Sequence, residues 1–346
     1  MGTTNGQTQP VSSQVSAAEH GEGLLIPPGS AKWTPTDIAI GLAVLLVWWG
    51  LCFFGRAWAA AVPSWLLVAL MLVLPEVFLL CYPLLLARRR GMADAWRRPR
   101  ARAVLREAAV SVPIVLAVLF LLSGADRGLR YLWPQAPSAS DAWQRGLTSS
   151  TSPTLALVLV VATTLGPLSE EVFFRGFLHN ALRARTSRVA AAILQSALFA
   201  LLHGYGVLYS FAAFILGLIL TAAYEWRRSL LTPIFIHAGY NLIVALMVVG
   251  LAIEEANAPI LGVIGEDHPQ GCYVKAVIPQ TPADDAGIVS GDVITELNGQ
   301  PVKGIAQLAG AVRMYQVGDA ITVGISRKGA VIYVKVVLKR KPKLVP

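Results

Sequence analysis

Two adjacent carboxylates, Glu170 and Glu171, and Arg175 four residues later interrupt an apolar run that begins "LALVLVVATTL" and continues "GPLSEEVFFRGFLHNAL". Ionisable groups inside a membrane helix cost of the order of several kcal/mol each unless paired, so they are functional candidates by default. On a helix, Glu171 and Arg175 stack at i and i+4 with the acid N-terminal, the favourable order for an ion pair. Glu170 is rotated away by about 100° and lacks such a neutraliser. An unpaired carboxylate suits a general base, with Glu171–Arg175 as its support. On spacing alone the three charges read equally well as a helix-packing polar cluster.

The histidines shift that balance. His203 closes "FALLH", with Phe199 one turn earlier on the same face, and His237 opens "HAGYN", with Asn241 at i+4, so each pair points at one spot. His179, one turn past Arg175, reads as interfacial and structural, while His20 and His268 lie outside the apolar runs. Measured from the basic ends of their runs at 1.5 Å per residue, Glu170, His203, Asn241 and His237 lie at depths of roughly 20, 21, 18 and 12 Å. Four polar groups from three helices at a shared level favour a site over independent packing. Glu76, after Pro75, is the remaining acid in an apolar run; it reads as polar lining beside a proline kink, with a weaker reading as part of a substrate cavity.

These residues need helices long enough to hold them in lipid. The chain has 346 residues, 55% hydrophobic and only 14% charged, against roughly 25% charged in soluble domains; mean hydropathy is +0.58. Most of it is expected to sit in a bilayer. The net charge of +9 belongs to arginines between apolar runs, which suits an anionic membrane surface and not nucleic acid. Three scattered cysteines imply no disulfide framework.

Candidate spans are residues 37–55, 64–87, 108–124, 153–182, 189–205, 207–224 and 230–251, about seven helices, the fifth and sixth forming a tight hairpin. Arginines at 88–106, 183–188 and 227–228 mark one side as cytoplasmic, which puts the N-terminus inside and the C-terminus outside. The stretch 88–106, with Trp96, reads as a basic loop or an interfacial amphipathic helix, and Trp133 and Trp143 suit an interface. Residues 1–35, polar and without an early apolar core, read as a disordered tail with no cleavable signal. From 257 to 341 short strand-like runs alternate with turn residues, the pattern of a small, mostly-β soluble domain.

Three segments, "EEVFFRG" at 170–176, "FALLH" at 199–203 and "HAGYN" at 237–241, resemble the three motifs of the CPBP family of CAAX proteases, Abi and bacteriocin-processing proteins. The resemblance covers about residues 150–250 and, more loosely, 36–255. It implies peptide-bond hydrolysis inside the membrane of peptide or membrane-protein substrates. By it, Glu170 and His203 activate water, His237 and Asn241 hold the oxyanion, and Glu171 and Arg175 support the site. It leaves the cofactor open: none, with direct water activation, is the preferred expectation. The alternative is zinc on Glu170, His203 and His237.

"LGVIG" at 261–265 and "PADDAGIVSGDVITELNG" resemble a PDZ domain of the bacterial protease-associated kind. That implies a C-terminal peptide added as a strand, its carboxylate taken by the loop Leu261, Gly262 and Val263. The expected whole is an integral protease of a bacterial inner membrane with its PDZ domain outside. The rivals are a catalytically silent scaffold or immunity factor that binds partners through the PDZ domain, and a transporter, for which no internal repeat is visible.

Overall fold

The computed structural model describes residues 33–54, 66, 69–92, 99–133, 152–203 and 207–340. The N-terminal tail up to residue 32, Trp96, Trp143 and the 204–206 connection lie outside the described residues. The chain forms two compact units, residues 1–248 and 249–346.

The apolar stretches are helical. They form α1 (Pro35–Phe54), α2 (Leu74–Arg89), α3 (Ala101–Leu132), a continuous α4, α5 (Arg188–Leu202), α6 (Val207–Arg227) and α7 (Leu231–Asn257). Helix α4 runs through Ser152–Val160, Val161–Leu165, Gly166–Glu171, Val172–His179 and Asn180–Arg183. Among the described residues, five helices, α2 with its entry turn, α3, α4, α6 and α7, are long and apolar enough to cross a membrane; α1, with 20 residues, rises about 30 Å, and Arg188–Leu202 is shorter. The 15 residues of α5 rise about 22 Å, less than the roughly 30 Å of a hydrocarbon core. Of the seven expected crossings, length and composition of the described residues support five, and α1 and α5 are the two apolar helices left beside them. Helix α3 exceeds the expected 108–124 at both ends. Arg130 pairs with Asp126 at i, i+4 and 2.8 Å on its last turns.

Polar seams hold the helices together. Glu107 on α3 is buried and accepts both Arg227 Nε and Nη2 (2.9 and 2.8 Å) from α6, and Thr232 Oγ1 (2.7 Å) from α7. Gly217 on α6 faces Ser196 on α5 so closely that an added Cβ would stand 3.0 Å from the serine Cβ. His179 is fully buried, with Nε2 2.8 Å from Glu225 Oε1, which suits a structural role. Glu225, on α6, supplies a partner that a depth argument along one helix does not see.

The second unit holds a six-stranded antiparallel sheet in the order β2 (Val263–His268), β3 (Gly271–Val277), β4 (Val293–Leu297), β6 (Ala320–Arg327), β7 (Ala330–Val337), with β5 (Gln300–Pro301) on β4. A separate pair joins β1 (Pro259–Ile260) to β8 (Lys339–Arg340). Two short helices, α8 (Pro282–Asp285) and α9 (Ile305–Val312), complete it. Ile321, Val323 and Ile325, alternate residues of β6, enter a core with Cys272, Val274, Ile294 and Leu308, the two-residue period of a strand with one buried face. Asp292, buried before β4, takes Arg327 Nε and Nη2 at 2.7 and 2.8 Å. Burial alone would raise the Asp292 carboxyl, but the arginine hydrogen bonds and charge and the Val289 amide outweigh it and hold it below the usual carboxylate range.

Candidate active site

The reactive turn of α4 sits between two widened turns, at Val161–Leu165 and Val172–His179, where hydrogen bonds run i to i+5. A third, Ala69–Val73, leads into α2, which packs against this part of α4. Such π-helical turns re-aim side chains and are frequent at functional sites.

Glu171 and Arg175 are fully buried, and Arg175 Nη1 donates to Glu171 Oε1 at 2.8 Å, the expected i, i+4 pair. Arg175 Nη2 donates to Gly217 O at 2.9 Å. Its guanidinium carbon lies 4.9 Å from the Phe199 ring centre, so the cation is met by a carboxylate, a carbonyl and an aromatic face.

Glu171 Oε1 also lies 3.0 Å from His237 Nδ1. A carboxylate accepts only, so the neutral His237 ring carries its proton on Nδ1 and presents a lone pair at Nε2. His203 does the same by another route: Nδ1 lies 2.7 Å from Phe199 O, a carbonyl that can only accept. Both Nε2 atoms face Glu170 Oε2, at 3.9 Å for His203 and 3.8 Å for His237. That oxygen is buried and has no hydrogen-bond partner. Glu171, Arg175 and His237 are buried while Glu170, His203 and Asn241 are partly exposed, so the outer three are the ones a substrate can reach.

The structure therefore gathers Glu170, Glu171, Arg175, His203 and His237 from α4, α5 and α7. Asn241, one turn past His237, donates its Nδ2 to Ala162 O at 2.8 Å within the first widened turn of α4; one amide hydrogen remains for other use. Glu76, read from the sequence as polar lining, stands beside the site. It is buried on the first turn of α2 and accepts from Ser169 Oγ, next to Glu170. The available signal was depth: Glu76 lies 12 residues before Arg88, roughly 18 Å along the helix, the level of Glu170.

Zinc ligands at 2.0–2.2 Å from a tetrahedral ion lie about 3.4 Å from one another. Separations of 3.8 and 3.9 Å are wider, and among the described residues no three His, Cys, Asp or Glu side chains are placed to hold a metal. Each of these separations leaves room for a water that donates one hydrogen to Glu170 Oε2 and one to a histidine Nε2.

In the second unit β2 is an edge strand of the sheet. The loop before it holds Leu261, buried, and Gly262 at φ +92°, where a Cβ would stand 2.1 Å from Thr281 Oγ1; only glycine fits. Leu261 O accepts Ala283 N and Gly262 O accepts Ile278 N, both at 2.8 Å. Val263 starts the strand opposite Val277. An extended peptide can add to such an edge.

Residues 152–243 match the family described as type II CAAX prenyl endopeptidase Rce1-like, and residues 259–338 match the PDZ domain. The periplasmic serine endoprotease DegP of Salmonella typhimurium is 36% identical over 91 residues, 26% of this chain and 19% of its own length. The serine protease Do-like HtrB of Bacillus subtilis is 41% identical over 70 residues, 20% of this chain and 15% of its own length. The chain thus spans about a fifth or less of these curated relatives. Among solved structures, a serine endoprotease from Yersinia pestis is similar at 27% identity and a TM-score of 0.25, over 29% of this chain and 36% of that one.

Proposed function

The chain carries an Rce1-like CAAX protease domain followed by a PDZ domain, and from that pairing we propose that it is an intramembrane endopeptidase that hydrolyses membrane-associated substrates by direct water activation. The observation that carries this reading is the convergence of two imidazole Nε2 atoms on the unpartnered Glu170 Oε2. A water between Glu170 and His203 gives one hydrogen to the carboxylate and one to the imidazole, leaving a lone pair for the scissile carbonyl carbon. As the C–O bond forms, Glu170 takes a proton and the carbonyl oxygen becomes an oxyanion. The free Asn241 amide hydrogen and His237 stabilise it. His237 does so once its Nε2 has taken a proton from solvent ahead of the attack, with Glu171 holding Nδ1 and balancing the charge. Glu170 then hands its proton to the amide nitrogen and the C–N bond breaks.

The test is cleavage of a peptide library by the purified full chain. Glu170→Gln keeps the shape and removes the base. It should lower kcat by about 10²–10⁴, and His203→Ala should resemble it; full activity of Glu170→Gln would sink the assignment. Activity should survive a chelator, and one equivalent of zinc that is lost in His203→Ala would establish the metal reading instead.

We assign the PDZ domain the capture of a substrate's C-terminal peptide; on seven crossings the arginine distribution would put it outside the inner membrane with the N-terminus in the cytoplasm, whereas five crossings with 88–106 and 183–188 inside would put it in the cytoplasm. The relatives named as periplasmic endoproteases agree with the outer side. A cysteine at position 343, introduced as Lys343→Cys, should react with an impermeant thiol reagent once the outer membrane is opened; labelling only after the inner membrane is breached would place the domain inside.

A further inference from the structure

Glu76 is the buried acid that the reaction above does not use, and its surroundings are specific. Ser169 Oγ is bonded to Glu76 Oε2 and also lies 2.6 Å from Leu165 O. A hydroxyl has one hydrogen and can both donate and accept. With Glu76 ionised, Ser169 donates to it. With Glu76 protonated, the acid donates to Ser169 Oγ and the serine turns its hydrogen to Leu165 O. The same atoms satisfy both forms of the carboxyl, without rearrangement of the backbone.

The second observation is Gly166. A methyl group added there would lie 3.7 Å from Glu170 Oε1 and 3.8 Å from Glu76 Oε1. The missing side chain leaves a gap of about a methyl group that both carboxyls border and that Val161 O, 3.1 Å from the added carbon, closes on the backbone side. Glu170 therefore has two faces: Oε2 turned to the histidines, Oε1 turned to the space it shares with Glu76.

Resting on the proposed hydrolysis, we propose that Glu76 is the proton partner of Glu170. Hydrolysis releases both protons of the attacking water. Glu170 carries the first to the amide nitrogen, which leaves as an amine. The second remains on the new carboxylic acid. Glu170 Oε2 removes it, leaving a product carboxylate; the Glu170 carboxyl then turns so that this O–H faces the Gly166 side, and the same proton passes through a solvent water to Glu76. Glu170 is ionised again and ready for the next water, and Glu76 holds the proton until the amine or solvent takes it. No bond other than O–H is made or broken at Glu76. It acts through Glu170 and is a positioning and relay residue.

The test uses the full chain in micelles with a reporter peptide. Glu76→Gln retains an acceptor for Ser169 and so preserves a purely structural role, but cannot receive a proton. It should lower kcat by about tenfold to a hundredfold, the lower part of the range for acid–base groups, leave KM within about twofold, and alter the solvent deuterium isotope effect on kcat. Glu76→Asp should recover much of the rate. Wild-type kcat and isotope effect in Glu76→Gln overturn the relay. So does an equal loss in Glu76→Gln and Glu76→Asp that tracks a lowered unfolding temperature. If Glu76→Gln does not fold, Ser169→Ala decides: it keeps the acid and removes the two-way hydroxyl, and unchanged kcat and isotope effect there refute the proposal. Loss of activity in Glu170→Gln beside full activity in Glu76→Gln ends the relay alone, whereas activity in Glu170→Gln ends the underlying hydrolytic reading.

Discussion

Replacing Arg175 with methionine separates the stability of the site from its chemistry. The substitution keeps a long apolar stem and removes the 2.8 Å bond to Glu171 and the 2.9 Å bond to Gly217 O. It leaves a fully buried carboxylate with His237 as its only remaining hydrogen-bond partner. Removing one member of a buried ion pair costs about 3–5 kcal/mol, and the carbonyl bond adds about 1 kcal/mol. At 1.4 kcal/mol per tenfold, the unfolding equilibrium should shift by roughly a thousandfold or more. The pair can instead be replaced as a unit. In Glu171→Leu with Arg175→Met no charge is stranded, and an apolar pair of similar volume is often neutral or stabilising. Stability should return, but activity should not, because His237 Nδ1 has lost the acceptor that orients the ring. Reversible unfolding in mixed micelles, read beside peptide cleavage, measures both. Arg175→Met within about 1 kcal/mol of wild type, or a double variant with wild-type turnover, would refute the reasoning.

Gly217→Val should push α5 from α6 and displace the carbonyl that meets Arg175, costing about 1–3 kcal/mol for overpacking; unchanged unfolding and turnover would contradict the close approach at Ser196. Gly262→Val forces a side chain into Thr281 at φ +92°. It should abolish binding of a free C-terminal peptide by the PDZ domain and raise KM for substrates it captures, while a short peptide is cut at the wild-type kcat; titration of the variant with such a peptide checks it. Asp292 has a carboxyl held below its ordinary value, so its contribution to stability is complete above the unfolded value of about 3.9 and is lost as pH falls through the native value. The PDZ unfolding midpoint should be flat at neutral pH and drop below about pH 4. Asp292→Asn should lower the neutral-pH midpoint and flatten the acid limb, and an unchanged acid limb would count against the pair.

Much of the site was legible because its determinants are local. The Glu171–Arg175 pair needs only helical spacing, and the depths of His203 and His237 follow from distance along apolar runs that arginines bound. The PDZ strands announce themselves by alternation, as Ile321, Val323 and Ile325 do. What escaped depends on contacts between helices. Glu76 meets Ser169 across two elements, the carbonyl that meets Arg175 belongs to Gly217, and the partner that buries His179 is Glu225. The widened turns of α4 break the 3.6-residue period that a helical projection assumes. The short length of α5 was hidden because its apolar run continues, in sequence, through a glycine connection to α6.

Because His203 and His237 both spend their Nδ1 protons elsewhere, the centre of the site is lined by acceptors at rest: two imidazole lone pairs and a carboxylate oxygen. On the proposed mechanism, hydrolysis would end by creating a second carboxylate at that spot. Like charges at close range in a poorly solvated setting repel, so the groups that form the acyl product would also expel it, and turnover should resist inhibition by that product. The same lining sets a rule for inhibitors. Neutral groups with two O–H donors, such as aldehyde hydrates, would satisfy Glu170 and one ring at once, whereas carboxylate-bearing compounds would meet the repulsion that clears the product.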